Sequence, residues 1–329
     1  MVSLSLAITI FTVLSMQTVS AATVGYFDSE SCVDPSGLSE CYENAAVEWS
    51  SCANITCAGQ NIDCIDVCSC VQTQNQLACA GQHCWNQVYG CEYQQTAGDI
   101  ATYCIKPHLD QIPFYPPPDN APGSCSCNLG KLLTSLYQTS GETETCGANG
   151  EEIVSQLTSN DEIQIFTRAC TCCSESGILS AFWAVCPNTD PSLLGINDIY
   201  DSLIENDEDW ATCGTDMDAF PCYSKLGYTP PGGNGSGTFY EPNDFPPNGT
   251  ATTSNIAGSI TSPVNGATYT WTYNGVERTI TVASADAKPT NTAGATNTGS
   301  DDKKNDAPLM VPGLSLIGFV LSFMIGIVI

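Results

Sequence analysis

Residues 52–104 read CANITCAGQNIDCIDVCSCVQTQNQLACAGQHCWNQVYGCEYQQTAGDIATYC. Cys52, Cys57, Cys64, Cys68, Cys70, Cys79, Cys84, Cys91 and Cys104 all fall in this stretch, and Cys41 stands just upstream. Gln, Asn and small residues fill the gaps, with few large apolar side chains among them. Burial alone cannot hold such a segment together. Paired cysteines can, because each bridge restricts the unfolded chain, by roughly 2–4 kcal/mol.

Working outward, Cys32 precedes this stretch and Cys125, Cys127, Cys146, Cys170, Cys172, Cys173, Cys186, Cys213 and Cys222 follow it, making twenty in all. At about one residue in ten, the Cys32–Cys222 window has the composition of a disulfide scaffold. The even count lets every thiol pair, and ten bridges require an oxidising compartment. Their connectivity cannot be read from spacing. Zinc is the competing use of cysteine, but it favours repeated C-x2-C pairs and cysteine–histidine sets. Here the only histidines are His83 and His108, and no two C-x2-C pairs occur.

The formal net charge is −27, from eight Lys/Arg against thirty-five Asp/Glu. Such a chain repels nucleic acid and anionic surfaces, so no nucleic-acid partner is expected. An acidic solvated surface suits a soluble ectodomain.

Composition divides the chain. Residues 1–22 read as a signal peptide: Leu4–Met16 is a short apolar core and Val19-Ser20-Ala21 supplies small residues for cleavage, with Ala22 the alternative. Residues 23–106 form a first cysteine-rich module and 125–227 a second. Between them 107–124 is rich in proline, including Pro116-Pro117-Pro118, and reads as a stiff extended link. Apolar residues at three- and four-residue spacing predict short helices over Glu40–Ala53, Gln72–Cys84, Asp99–Cys104, Leu129–Tyr137, Gly150–Leu157, Ile178–Val185 and Ile199–Trp210. Residues 228–266 are rich in Pro, Gly, Asn, Ser and Thr and read as a disordered linker. Within 267–283 two alternating runs flank Asn274-Gly275, a β-hairpin signal. A lone hairpin is marginal in water, so it must dock on the head or fray. Residues 284–305 have a Ser/Thr/Asn stalk composition.

Residues 306–329 read as a glycosylphosphatidylinositol (GPI) attachment propeptide. Leu314–Ile329 is apolar and uncharged, with no basic stop beyond it, and Lys303 and Lys304 lie on the wrong side for a spanning helix. The expected attachment site is Asn305 in Asn305-Asp306-Ala307, with Gly299 or Ser300 as fallback.

Catalytic motifs are missing from the sequence: no G-x-S-x-G, H-E-x-x-H or phosphate-binding glycine loop. His83 and His108 are expected at the surface. The acidic run Asp198–Asp218 lacks the spacing of a calcium loop and reads as a solvated helix face. Asn54, Asn234 and Asn248 each begin an N-glycosylation sequon.

The spacing C52-x4-C57-x6-C64-x3-C68-x-C70-x8-C79-x4-C84, with Cys104 beyond and Asp66 just ahead of the C-x-C, resembles the CFEM domain of fungal extracellular proteins. That family has eight cysteines, an Asp before a C-x-C, and often a GPI anchor. The resemblance covers residues 52–104 and departs in the extra Cys91, a short second gap and a long last gap; Cys32 and Cys41 lie outside it. Some members bind haem through the Asp, so the resemblance implies Asp66, or Asp63, as a haem ligand. The whole layout also resembles fungal GPI-anchored cysteine-rich surface proteins as a class.

The sequence therefore predicts a mainly α, small disulfide-rich fold of short helices with a C-terminal β-hairpin. The expected function is non-enzymatic: a surface or cell-wall glycoprotein held to the membrane by a GPI lipid, structural, adhesive or interacting with wall glycans or a surface partner, without cofactor. The alternative is a CFEM-like haem- or iron-binding surface protein.

Overall fold

The computed structural model describes residues 23–58, 62–204, 210–233, 235 and 237–285. The signal peptide, nearly all of the stalk, Asn234 and the attachment sites Asn305, Gly299 and Ser300 lie outside these residues. Short helices joined by disulfides dominate, with one hairpin near the C-terminal end.

The first module opens with a two-residue ribbon, β1 (Thr23–Val24) on β2 (Phe27–Asp28). Helix α1 (Pro35–Ser51) begins at Asp34, whose carboxylate accepts from the Gly37 N–H, with proline at the first helical position. It runs into a π-helical turn, Cys52–Thr56, and α2 (Ile62–His83) returns alongside it. Helix α3 (Cys91–Tyr103) packs on α2 and buries Tyr93, Ala97 and Ile100. Five bridges knit these elements: Cys32–Cys84, Cys41–Cys79, Cys52–Cys68, Cys57–Cys64 and Cys70–Cys104.

The second module is built on α6 (Asn160–Val185), opened by a capping box between Ser159 and Glu162. The sequence predicts only its last turns, from Ile178, because the Cys170–Cys173 run and the serines after it hide the apolar period. Those cysteines are what make it the spine. Cys170 reaches Cys146, Cys172 reaches Cys213 and Cys173 reaches Cys222. Around it lie α4 (Leu129–Thr143), the short α5 (Gly150–Val154), α7 (Ile196–Ile204) and α8 (Cys213–Ala219). Cys127–Cys186 ties the loop before α4 to the end of α6. No cysteine is left free.

Two hydrophobic cores result, and they share α4. Leu129, Leu132 and Leu136 face the second core while Leu133 faces the first. Cys91–Cys125 bridges the two modules. Residues 107–124 are therefore not the stiff spacer their prolines suggest. Leu109, Ile112 and Tyr115 are buried in the first core, and the Tyr115–Pro116 bond is cis.

The linker reading of 228–266 also needs correction. Helix and strand are nearly absent there, as the composition predicts, but the chain lies as a strap across the head. Ser176 and Ser180, one turn apart on α6, clip Tyr240: the Ser176 hydroxyl donates to its carbonyl at 2.7 Å and Ser180 accepts its N–H at 2.9 Å. Ala251 then bonds Asn188 and Asp190, and Ser254 and Ile256 bond Ser126 and Ser124. The strap delivers the hairpin β3 (Thr268–Tyr273) and β4 (Val276–Thr281) onto the first module. There Trp271, Tyr273 and Ile280 complete the first core. The hairpin docks rather than frays, because three of its inward side chains find apolar partners that residues 23–115 leave uncovered.

Candidate functional site

A shallow, half-open concavity lies on the second module, where the strap meets α6 and α7. Leu179 and Trp183, one turn apart on α6, line it together with Ile196, Asn197 and Tyr200 of α7. Pro191 and, from the strap, Phe245 and Asn248 complete the lining. The volume is about 250 Å³. That is below the roughly 300–1,000 Å³ that encloses drug-sized ligands, so the groove suits a single ring.

Aromatic rings set its character. Phe245 stacks on Trp183 with centroids 4.9 Å apart and 23° between planes, and on Trp210 at 6.5 Å with the same angle. Tyr240, held by the two serines, meets Trp183 edge-on at 6.5 Å. The Trp183 Nε1 is buried without a hydrogen-bond partner among the described residues, an unmet donor that costs about 1–3 kcal/mol. Among the described residues, no carboxylate, histidine or thiol lines the groove. The described lining combines apolar and aromatic surface with two amides, Asn197 and Asn248, and the Tyr200 phenol.

Titratable pairs occur elsewhere. His83 is not the surface residue the sequence suggests: its side chain is 14% exposed and its Nδ1 lies 2.8 Å from Asp34 Oδ2. Burial alone would raise the Asp34 carboxyl, but the Gly37 N–H and His83 outweigh it and hold it below the ordinary range. A Cβ at Gly37 would sit 2.3 Å from His83 Nδ1, so glycine is required for this contact. The neighbouring Cys84 is bridged to Cys32, which leaves no thiolate for the imidazole to activate. The pair clasps the start of α1 to the end of α2. His108 is exposed and meets Tyr273 edge-on.

Asp99 on α3 accepts from Tyr26 at 3.1 Å, and burial pushes its carboxyl up to about 7, against the lowering effect of that bond. Burial, with Asp99 nearby, raises the Tyr26 phenol in turn. The expected solvated face of Asp198–Asp218 holds for Asp198 and Asp201, which are exposed. It fails at Asp216, which is 4% exposed at the side chain and takes a two-pronged bond from Arg168 at 2.9 and 3.0 Å.

Asp66 is half-buried on α2, between the bridged Cys64 and Cys68; the side chain of Asp63 lies outside the described set. The sulfurs of Cys52, Cys57 and Cys68 lie within 4.8 Å of one another. This cluster is two adjacent disulfides, with Cys57 Sγ 3.4 Å from Cys68 Sγ. Bridged sulfur offers no thiolate to a metal. The groove is lined by the second module and the strap, not by the stretch around Asp66. The haem assignment to Asp66 therefore rests on cysteine spacing alone.

Asn54 is exposed in the π-helical turn, and Asn248 is exposed at the groove. Sequence reading finds Asn248 by its sequon but misses Trp183, Asn197, Tyr200 and Phe245. The available signal was Phe245 three residues before Asn248. No described helix is long and apolar enough to cross a membrane.

Comparisons with protein-family models, with curated proteins and with solved structures find no match to this chain.

Proposed function

We propose that this chain is a non-catalytic, GPI-anchored glycoprotein of the cell surface or wall, whose disulfide-closed head serves as a contact module. The observation that carries this is the complete pairing of all twenty cysteines in one interlocked head. Ten closed bridges are the product of an oxidising compartment. The small residues at 305–307 and the uncharged run Leu314–Ile329 support a lipid anchor. The 284–305 stalk lifts the head from the membrane, and the acidic surface keeps it soluble.

A contact role is supported by the α1–α2 hairpin, which leaves Val47, Ile55, Ile62, Val67 and Val71 at 68%, 77%, 68%, 53% and 43% exposure. Large apolar side chains concentrated at one end of a module suit a partner surface. Thiol labelling of the denatured, unreduced protein isolated from cells tests the compartment. No label is expected, and two or more labelled cysteines would defeat the proposal.

A further inference from the structure

We infer that Asn248 carries an N-linked glycan whose first N-acetylglucosamine lies in the groove, packed against its aromatic lining. This rests on the secretory reading above and goes beyond it by giving the groove an occupant.

Four features converge. Asn248-Gly249-Thr250 is an intact sequon, and Asn248 and Thr250 are both exposed. Asn248 itself lines the groove, so a sugar bonded to its Nδ2 starts at the groove wall. The backbone at the sequon is fixed. Pro246 and Pro247 precede it, Ala251 bonds Asn188 and Asp190, and a Cβ on Gly249 would sit 2.2 Å from the Asn188 carbonyl carbon. The strap therefore holds Asn248 at one place on the groove wall. Finally, the Phe245 ring lies in the same groove three residues earlier, already braced by Trp183.

The chemistry of the lining matches this occupant. A pyranose has an apolar face of C–H groups that packs on the electron-rich face of an aromatic ring, while its rim needs hydrogen bonds. The groove offers rings for the face and the Asn197 amide for the rim. At about 250 Å³ it has room for one ring, and the rest of the glycan extends into solvent. In the transfer the Nδ2–C1 bond forms and the C1–O bond to a polyprenyl-pyrophosphate-linked oligosaccharide breaks. The pyrophosphate leaves with the bonding pair, Nδ2 releases one proton, and no net oxidation occurs. Asn54 has a sequon in the π-helical turn, outside the groove, and serves as the internal control.

The test uses the full chain made in a eukaryotic secretory host. Glycopeptide mass spectrometry reads occupancy at Asn54 and Asn248. Endoglycosidase H then trims the chain to its first sugar, and NMR seeks contacts between that sugar's protons and the aromatic rings of the groove. Thr250→Ala gives the same protein without the sugar at Asn248. We expect occupancy at Asn248, ring contacts to the trimmed sugar, and a Thr250→Ala melting midpoint roughly 2–4 °C below the trimmed parent. A bare Asn248 beside an occupied Asn54, an occupied Asn248 without ring contacts, or equal midpoints would each overturn the inference. A bare Asn54 and Asn248 together with free thiols would instead defeat the secretory reading itself.

Discussion

Tyr273→Ala should undock the hairpin while leaving the disulfide head folded. Tyr273 is fully buried in the first core, and its hydroxyl accepts the His108 N–H at 3.2 Å. Truncating a buried aromatic side chain to alanine costs about 3–5 kcal/mol. The hydroxyl's share is nearer 1 kcal/mol, which Tyr273→Phe isolates. No cysteine lies beyond Cys222, so no bridge retains the hairpin once its packing is lost. Other anchors remain: the Trp85 indole N–H donates to the Ala283 carbonyl at 2.9 Å, and Arg278 reaches Asn75 and Gln74 at 2.7 and 3.2 Å. The loss should therefore appear as a larger open population of the hairpin, by roughly two to three and a half orders of magnitude at tenfold per 1.4 kcal/mol. Amide hydrogen exchange over Thr268–Thr281, with α2 as reference, measures it. Protection in that segment should collapse in Tyr273→Ala, fall about tenfold or less in Tyr273→Phe, and stay unchanged in α2. Unprotected hairpin amides in the parent protein, or less than a tenfold change in Tyr273→Ala, would refute the docking argument.

Three further expectations concern buried charge and the haem alternative. Asp99 is raised in the folded state to about 7 from an ordinary carboxyl value, so the fold pays for its ionisation as pH rises. The melting midpoint of Asp99→Asn minus that of the parent should be near its minimum at pH 3.5, grow through pH 4–7 and level off above pH 8; a flat difference would contradict the burial of Asp99. Arg168→Ala strands the Asp216 carboxylate and should cost less than the ~3–5 kcal/mol of a fully buried pair, since Arg168 is 35% exposed. Adding Asp216→Ala should recover part of that loss in denaturant titrations, and strictly additive losses would deny the coupling. Haemin added to the purified head should keep the broad Soret band of free haemin; a shifted, sharpened band that Asp66→Ala abolishes would replace the contact-module reading with the haem-binding one.

The disulfide-rich class was legible because cysteine density forces it, the helices because apolar residues recur at three and four, and the hairpin because Asn274-Gly275 between alternating runs has few other solutions. Several features were hidden for physical reasons. Helix α6 was mostly missed, since cysteine and serine occupy its core-facing positions where apolar periodicity is sought. The strap was misread because its hold on the head lies in a few scattered contacts: Tyr240 clipped by Ser176 and Ser180, Phe245 stacked on Trp183, and backbone bonds at Ala251, Ser254 and Ile256. Composition averages such sparse contacts away. Residues 107–124 show the same limit: proline content reports local stiffness and says nothing of whether Leu109, Ile112 and Tyr115 are buried. Bridge connectivity was illegible throughout, because pairing depends on which helices meet. Of the groove, only Asn248 announced itself. Its aromatic lining comes from α6, α7 and the strap, which only the fold brings together.

The most direct test of surface display on a lipid anchor is the C-terminal peptide of the mature cell-associated protein, read by mass spectrometry. Phosphatidylinositol-specific phospholipase C, or glucanase for chain transferred to wall glycan, should release a form ending near Asn305 and bearing the anchor remnant. A mature protein that still contains Leu314–Ile329 would contradict the account.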